Sequence, residues 1–439
     1  MQVQKTIKIP IHYQTTEKKL SYLDRLTARL TYAVRQWWRI IEENNLETEP
    51  DCSPYESRVQ EETRLSSGFV QQARDKALWM KEQWEKSHRK WERKMKKAKK
   101  GSKWHEKLKG REPSKPFSSN RSKTKKIPTR FDYRTGEIKE AEIELTDLVA
   151  RISTLKKHER ITILLNPSEY HKEKLEEAED ICSFEIVKHP ERKCKWMFHI
   201  TCRYQVETHA PETIRGVDLG VNRDVASVKL PPTPKNFSLV KTEKLKKLKE
   251  LDDRIAHLQR EEKYEALKKL RRKRRNIAKD HDRKTAKEFA EQTENEIVIV
   301  GDPQQIQYHK YRGNGNKRER KMLQHWSFAR QGNYITQKCM EKGVIAVRFN
   351  EWGTNKCKNC EGELKGRGRR VKCKDCGAEY DREFNSCITL LQKASTYLKN
   401  KSSETIKNSQ KLAGATDELA RTIDDSGLEP WMSMEASFH

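Results

Sequence analysis

Two CxxC knuckles, Cys357-Lys358-Asn359-Cys360 and Cys373-Lys374-Asp375-Cys376, stand twelve residues apart and constrain this chain more than any other feature. Four thiolates at that spacing reach one tetrahedral Zn²⁺, and the short basic insert forms the hairpin between them. With every position filled by thiolate, no coordination site is open to a substrate, so the metal is expected to hold structure. The competing reading, four unligated core cysteines, leaves the paired spacing without a cause. Cys52, Cys182, Cys194, Cys202, Cys339 and Cys387 show no comparable pattern. Free buried thiols are the expectation for them, with a second site at Cys182, Cys194 and Cys202 as the lesser reading. Ten cysteines in 439 residues are too sparse for a disulfide-stapled secreted domain.

Charge narrows the class further. The chain carries 93 Lys+Arg against 65 Asp+Glu, a formal net charge of +28, and only 34% hydrophobic residues. Such a chain repels itself and is best understood as binding a polyanion. Its length predicts two to four domains. Its apolar runs fall short of the roughly 18 residues that span a bilayer, so no membrane partner is expected. Met1 to Lys5 lack the apolar core of a secretory signal, which favours an intracellular protein. The basic residues are concentrated: Lys96, Lys97, Lys99 and Lys100 follow a helical pattern that also holds Trp84 and Trp91, with Trp104 beyond. Cations for phosphates and aromatic faces for unstacked bases suit RNA or an opened duplex, against the plainer reading of a solvated basic helix. A second cluster, Lys268, Lys269, Arg271, Arg272, Arg274 and Arg275, lies in the nearly continuous basic helical stretch 240–290.

Periodicity gives the organisation. Residues 1–13 alternate as a half-buried strand, 17–100 repeat apolar residues at helical spacing, and 125–208 return to short strands separated by turn residues. The first strand is expected to join that later sheet or small barrel, making the helical segment an insertion. From Arg215 strands alternate with helices, which predicts an α/β layer. A Gly/Asn-rich loop at 313–316 and an amphipathic helix over about 318–342 follow. Residues 402–439 lack periodicity and read as a disordered tail.

Acidic residues stand at strand ends: Asp218 in Gly216-Val217-Asp218-Leu219-Gly220, Glu351 after the strand 344–349, and Asp381 directly after the knuckles. Any one of them is more often a turn or cap residue. Together they are the three or four carboxylates from separate elements that a pair of hard cations needs for phosphodiester cleavage.

These residues carry a resemblance. Gly216 to Gly220, the helix opening Trp326-Ser327-Phe328 and ending at Lys342-Gly343, the knuckles, and Asp381-Arg382-Glu383-Phe384-Asn385 resemble the split RuvC-like nuclease of the TnpB family. That family comprises transposon-encoded RNA-guided nucleases related to compact type V CRISPR effectors and to Fanzor proteins. The likeness is specific over about 212–400 and architectural before that. It implies a multidomain α+β fold: a wedge-like β-barrel with an inserted helical recognition lobe, then a RuvC-like (RNase H-like) α/β nuclease carrying a zinc ribbon. The implied boundaries are 1–15 and 126–210 for the barrel, 16–125 for the recognition lobe, 211–355 and 378–401 for the nuclease, and 356–377 for the ribbon.

The resemblance makes Asp218 the first catalytic aspartate and Asp381 the third, both Mg²⁺ ligands. At the second position relatives end the strand in Glu-Asp-Leu, where this chain has Gly301-Asp302-Pro303. Asp302 is a poor substitute, because a one-residue step along a strand turns the side chain to the opposite face. Glu351, leaving the adjoining strand, is the expected replacement. Arg382 is expected on a phosphate, with a surface ion pair as the alternative. The function implied is an RNA-guided DNA endonuclease, a monomer bound to its guide RNA, that uses Zn²⁺ for structure and Mg²⁺ for cleavage of target DNA. A nuclease-dead guided repressor and an unguided zinc-ribbon nucleic-acid-binding accessory protein are the alternatives. The expected location is the cytoplasm or nucleoid of a prokaryotic or viral host, or the nucleus of a eukaryotic one.

Overall fold

In β1 (Gln2–Pro10) Val3, Ile7 and Ile9 are buried while Gln2, Gln4, Thr6 and Lys8 face out, the two-residue period of a strand covered on one side. The computed structural model describes residues 1–118, 126–156, 158–189, 196–303, 323, 326–351, 353–366 and 368–401, without the side chains of 234 and 395–401. Cys194, the 313–316 loop, part of the 318–342 helix and the 402–439 tail lie outside them. The chain divides into two compact units, Gln2–Gln205 and Val206–His439 with Met1.

In the first unit β1 pairs antiparallel with β7 (Trp196–Gln205), Gln2 opposite Gln205 and Pro10 opposite Met197, so the first strand of the unit lies beside its last. The four-stranded sheet runs β1, β7, β6 (Asp180–Lys188), β2 (Thr129–Phe131). A second antiparallel sheet holds β3 (Gly136–Ile143), β4 (Thr146–Ser153) and β5 (Arg160–Leu164), and an Ile11–Leu165 bridge seams the two. Among the described residues these strands form two sheets and no closed barrel. Between β1 and β2 lie the helices α1 (Glu17–Glu43), α2 (Ser67–Lys97) and α3 (Lys103–Lys109), with short helical turns over 49–63, and α4 (Glu169–Glu176) joins β5 to β6. Leu23, Leu26, Leu30, Val34, Trp37 and Ile41 make one buried stripe of α1, facing Phe69, Val70, Ala73 and Ala77 of α2. Each such side chain contributes about 1.5–3 kcal/mol. Beyond Ala77, α2 has no fully buried residue. Its distal turns are tied instead by indole N–H groups, Trp84 donating to the Pro113 carbonyl at 3.0 Å and Trp91 to that of Leu108 at 2.8 Å.

The second unit is built on a five-stranded sheet in the order β10 (Phe237–Val240), β9 (Val225–Lys229), β8 (Thr213–Asp218), β11 (Glu296–Asp302), β12 (Ile345–Asn350). β8, β11 and β12 are mutually parallel. Val298 and Val300 enter one core, Ile297 and Ile299 another, so β11 is apolar throughout because both its faces are covered. The first face meets α5 (Lys244–Arg260), α6 (Tyr264–Glu291) and α7 (Phe328–Met340), the second α8 (Arg382–Lys401). The basic stretch 240–290 breaks into two helices at Glu262, whose φ is 52°, and Arg274 of α6 donates to both carboxylate oxygens of Asp252 in α5. Lys244 and Arg330 converge on the wholly buried Asp282 at 2.6 Å each, Ser327 donates to it at 2.7 Å, and the Lys244 ammonium lies 3.7 Å from the Trp326 ring centroid. That network accounts for Trp326-Ser327-Phe328 at the head of α7. The knuckles sit on a three-stranded sheet, β13 (Leu364–Lys365), β14 (Arg370–Cys373), β15 (Glu379–Asp381), which runs directly into α8.

Candidate active site and metal centre

Parallel pairing brings the ends of β8, β11 and β12 to one sheet edge. Asp218 is the last residue of β8, and Gly301 and Asp302 end β11. β12 ends at Asn350, and Glu351 beyond it donates its backbone N–H to the Asp302 carbonyl at 3.5 Å. The Glu351 side chain folds over Gly301: a Cβ at position 301 would lie 2.0 Å from Glu351 Oε1 and 2.6 Å from its Cδ and Cγ. Any side chain at 301 would have to displace the Glu351 carboxylate, which already fills that space. Gly216, in the strand that bears Asp218, is required, since its Cβ would lie 2.6 Å from the Cys387 carbonyl of α8.

Glu351 Oε1 is buried and has no hydrogen-bond partner. Burial first, and then the charges of Asp218 and Asp302, push its carboxyl far above the usual carboxylate range, against the pull of Arg348. Asp218 is raised as well, by burial and then by Glu383, with Arg382 and the Leu219 N–H opposing. The Cys387 thiol is buried beneath this group and is raised by burial and by the charges of Asp218, Glu351 and Glu383. A pocket of half-buried carboxylates that raise one another, with one oxygen unpartnered, is the environment a hard cation relieves.

Asp381 stands differently. Its Oδ1 accepts the backbone N–H groups of Glu383 at 3.0 Å and Phe384 at 3.3 Å, capping α8, and its Oδ2 takes Arg223 Nη1 at 3.2 Å. The same Arg223 nitrogen lies 2.5 Å from Glu383 Oε2. Arg223 is 7% exposed, so it neutralises both acids from within the fold. In this segment sequence reasoning singled out Asp381; Glu383, two residues on, is the carboxylate whose charge reaches Asp218. Neither Glu383 nor Arg223 had a sequence signal of its own beyond lying near the acidic motifs. Asp302, whose charge reaches Glu351, pairs with Arg348, which also donates to Asn333 Oδ1 at 2.7 Å. Arg382 is exposed.

Among the described residues the four cysteines are the only set of three or more candidate ligands whose donor atoms all lie within 4.8 Å of one another. The carboxylates at the sheet edge do not close so tightly, as mutual repulsion dictates. Cys357 and Cys376 sulfurs are 3.7 Å apart and those of Cys360 and Cys373 3.4 Å, close to the roughly 3.8 Å edge of a tetrahedron with Zn–S bonds of about 2.3 Å. Although burial opposes it, N–H groups of Asn359 and Cys360 and the Tyr380 hydroxyl bring the Cys357 thiol down to about 7. The cluster suits zinc. Asn385, 1% exposed, fastens its base: Nδ2 donates to the Lys356 carbonyl at 2.7 Å and Oδ1 accepts from the Lys358 N–H at 3.0 Å.

Of the basic residues, Lys96, Lys97, Lys99, Lys100, Lys268, Lys269, Arg271, Arg272 and Arg275 are exposed, whereas Arg274 is committed to Asp252. The half-buried Trp84 and Trp91 anchor the 103–118 segment. No helix among the described residues is long and apolar enough to cross a membrane.

Residues 328–390 match the family model of the Cas12f1-like TNB domain. Across 89% of this chain and 98% of the other, the fold is similar to a Cas12f1 chain solved with sgRNA and target DNA, at 12% identity and a TM-score of 0.57. It is also similar to the mini-RNA-guided endonuclease CRISPR-Cas phi3, across 88% of this chain and 92% of that one, at 9% identity and a TM-score of 0.50. No curated protein matches the chain in sequence.

Proposed function

We propose that this protein is an RNA-guided DNA endonuclease whose RuvC-like site is assembled from Asp218, Glu351 and the Asp381–Glu383 segment. The observation that carries the reading is the Glu351 carboxylate lying where a side chain at Gly301 would be. The second acid is thereby relocated and not lost. A guided binder without cleavage draws its support from Gly301, and the Glu351 carboxylate in that space favours the cleaving reading.

The strand order and the parallel β8, β11 and β12 support an RNase H-like sheet, with the acids at the carboxyl edge where α/β sheets place their sites. The relatives of like fold were solved as a guide-RNA and target-DNA complex and as an RNA-guided endonuclease, which supports guide RNA and target DNA as the partners here. Base pairing would then read the target, and the exposed lysines and arginines of α2 and α6 would hold phosphates without sequence preference.

Asp218 and Glu351 would hold a divalent cation, Mg²⁺, with hard oxygen donors; the unpartnered Glu351 Oε1 fits that role. When bound, such ions lower the pKa of water and stabilise the leaving oxygen of a phosphodiester. The chain's own part is to keep the acids half-buried and mutually raised, to balance Glu383 with Arg223, and to present Arg382 to the phosphate. Asp381, expected as the third ligand, is supported more strongly as the cap that sets Glu383 in place. The knuckles would hold a structural Zn²⁺. Membership of the TnpB–Fanzor branch and an origin in a transposable element belong to the same proposal.

The test is to purify the protein with its associated RNA, sequence that RNA, and assay Mg²⁺-dependent cleavage of matching DNA by wild type, Glu351→Ala and Asp302→Ala. Cleavage that survives Glu351→Ala sinks the relocated acid. Guided binding without cleavage by wild type favours the repressor, and absence of RNA overturns the reading as a whole.

A further inference from the structure

The turn that follows Asp218 carries a buried cation to the acids. Gly220 opens it: a Cβ there would lie 2.5 Å from the Arg223 carbonyl, so the chain doubles back closely before β9 begins. Asp224, 2% exposed, pins the turn. Its Oδ2 accepts the Thr242 N–H and hydroxyl at 2.8 Å each, and Gln331 Nε2 donates to its carbonyl at 2.8 Å. Arg223 is thereby held almost wholly enclosed, with the single nitrogen Nη1 against Asp381 Oδ2 and Glu383 Oε2. The other Asp381 oxygen accepts the N–H groups that open α8. Both oxygens of Asp381 and one of Glu383 are therefore engaged by the protein itself. A pair of divalent ions about 4 Å apart draws on three or four carboxylates. Asp218 and Glu351 remain for a cation, Glu351 with its unpartnered Oε1.

We infer that Arg223 stands in for a second divalent ion: the centre takes one ion, at Asp218 and Glu351, and the guanidinium supplies the positive charge to Asp381 and Glu383. A guanidinium suits that place because it is charged at every working pH and its N–H groups fit carboxylates. Enclosed and turned to two acids, Arg223 is a positioning residue and not a contact to the phosphate. Removing its charge would leave two acids without a counter-charge, the condition that draws a cation in. The inference rests on the reading of Asp218 and Glu351 as metal ligands.

The number of bound Mn²⁺ ions tests it, since Mn²⁺ takes the oxygen donors that suit Mg²⁺ and is visible by electron paramagnetic resonance. Full-length protein carrying its RNA is titrated with Mn²⁺, with and without guide-matched DNA. The double variant Asp218→Ala, Glu351→Ala carrying the same RNA is the blank for ions held by phosphates. Wild type should exceed the blank by one Mn²⁺ per chain, with the spectrum of an isolated ion. Arg223→Met, of similar reach but uncharged, should exceed it by two and show the dipolar broadening of neighbouring ions. Arg223→Lys, which keeps the charge, should stay at one. An arginine with a merely structural role would alter the melting temperature of Arg223→Met and leave its count at one. Two coupled ions in wild type, or one ion in a folded Arg223→Met, overturns the inference. Should circular dichroism find Arg223→Met unfolded, the wild-type count and spectrum still decide. A wild type equal to the blank removes the metal-ligand reading of Asp218 and Glu351, and the inference with it.

Discussion

Glu351 Oε1 occupies the position next to Gly301, 2.0 Å from where a Cβ of residue 301 would stand. A carboxylate has thus entered the pocket from the strand beside β11, and the residue that would compete for the space has no side chain. The relationship is reciprocal and can be reversed. Glu351→Ala should abolish cleavage, by at least about 100-fold, because a direct ligand should matter more than the outer partners that cost 10–100-fold. Gly301→Glu alone should clash with Glu351 and lower thermal stability. The double variant Gly301→Glu, Glu351→Ala should regain cleavage, measured on guide-matched DNA. Failure of the double variant to exceed Glu351→Ala would argue that the two positions do not share one pocket.

Asp381 and Glu383 can be told apart. Asp381 caps α8 and holds Arg223, whereas Glu383 raises Asp218. Asp381→Asn retains an oxygen for the cap and should keep part of the activity with a lower melting temperature. Glu383→Gln should lose activity with little thermal effect. The opposite ranking would restore Asp381 as the ligand.

Asn385 binds the base of the knuckles to α8 through two backbone groups. Asn385→Ala should reduce cleavage while zinc content, measured by elemental analysis, stays at one per chain. Cys373→Ser should lower both the zinc content and the melting temperature, since structural zinc contributes folding energy directly.

The metal-free site has a signed pH dependence. Asp218 is raised to about 7 and Glu351 to about 9, both above the ordinary values of 3.8 and 4.5. A carboxyl raised in the folded state gives stability that is complete below its unfolded pKa and lost as pH climbs through its folded pKa. Between about pH 4 and 9 these two groups should therefore increasingly destabilise the metal-free protein. The rise in melting temperature on adding Mg²⁺ should be larger at pH 8.5 than at pH 5.5. An equal rise at both values would contradict cation binding at these acids.

Arginines of α6 should divide by their surroundings. Arg271→Ala and Arg275→Ala, both exposed, should each lower the salt dependence of nucleic-acid binding, by roughly 0.7–0.9 in log–log slope. Arg274→Ala removes a two-pronged pair with Asp252 and should leave that slope unchanged while costing about 1 kcal/mol of stability.

Local pattern carried a large part of this molecule. The alternation Val3, Ile7, Ile9 was enough to foresee β1, and the alternation of strands with helices after Arg215 an α/β layer. The cysteine spacing foretold a four-sulfur cluster, because two ligands with two residues between them on a turn are brought together by the backbone alone. Asp218 was legible as an acid at a strand end. What local pattern missed was which of several nearby groups a pocket admits. Asp381 and Glu383 are two residues apart, chemically alike and both paired with Arg223, and only the packing of α8 against β8 separates them: Asp381 caps the helix while the charge of Glu383 reaches Asp218. Trp84 and Trp91 read as base-stacking faces until Pro113 and Leu108 were seen to take their indole N–H groups.

Sequence alone determined the strands, the basic helices, the knuckles and the set of available acids, since each follows from spacing along one short segment. Tertiary structure decided that Glu351 fills the space at Gly301 and that Asp302 turns to Arg348. Those outcomes depend on excluded volume and burial between segments far apart in the chain, and no periodicity records them.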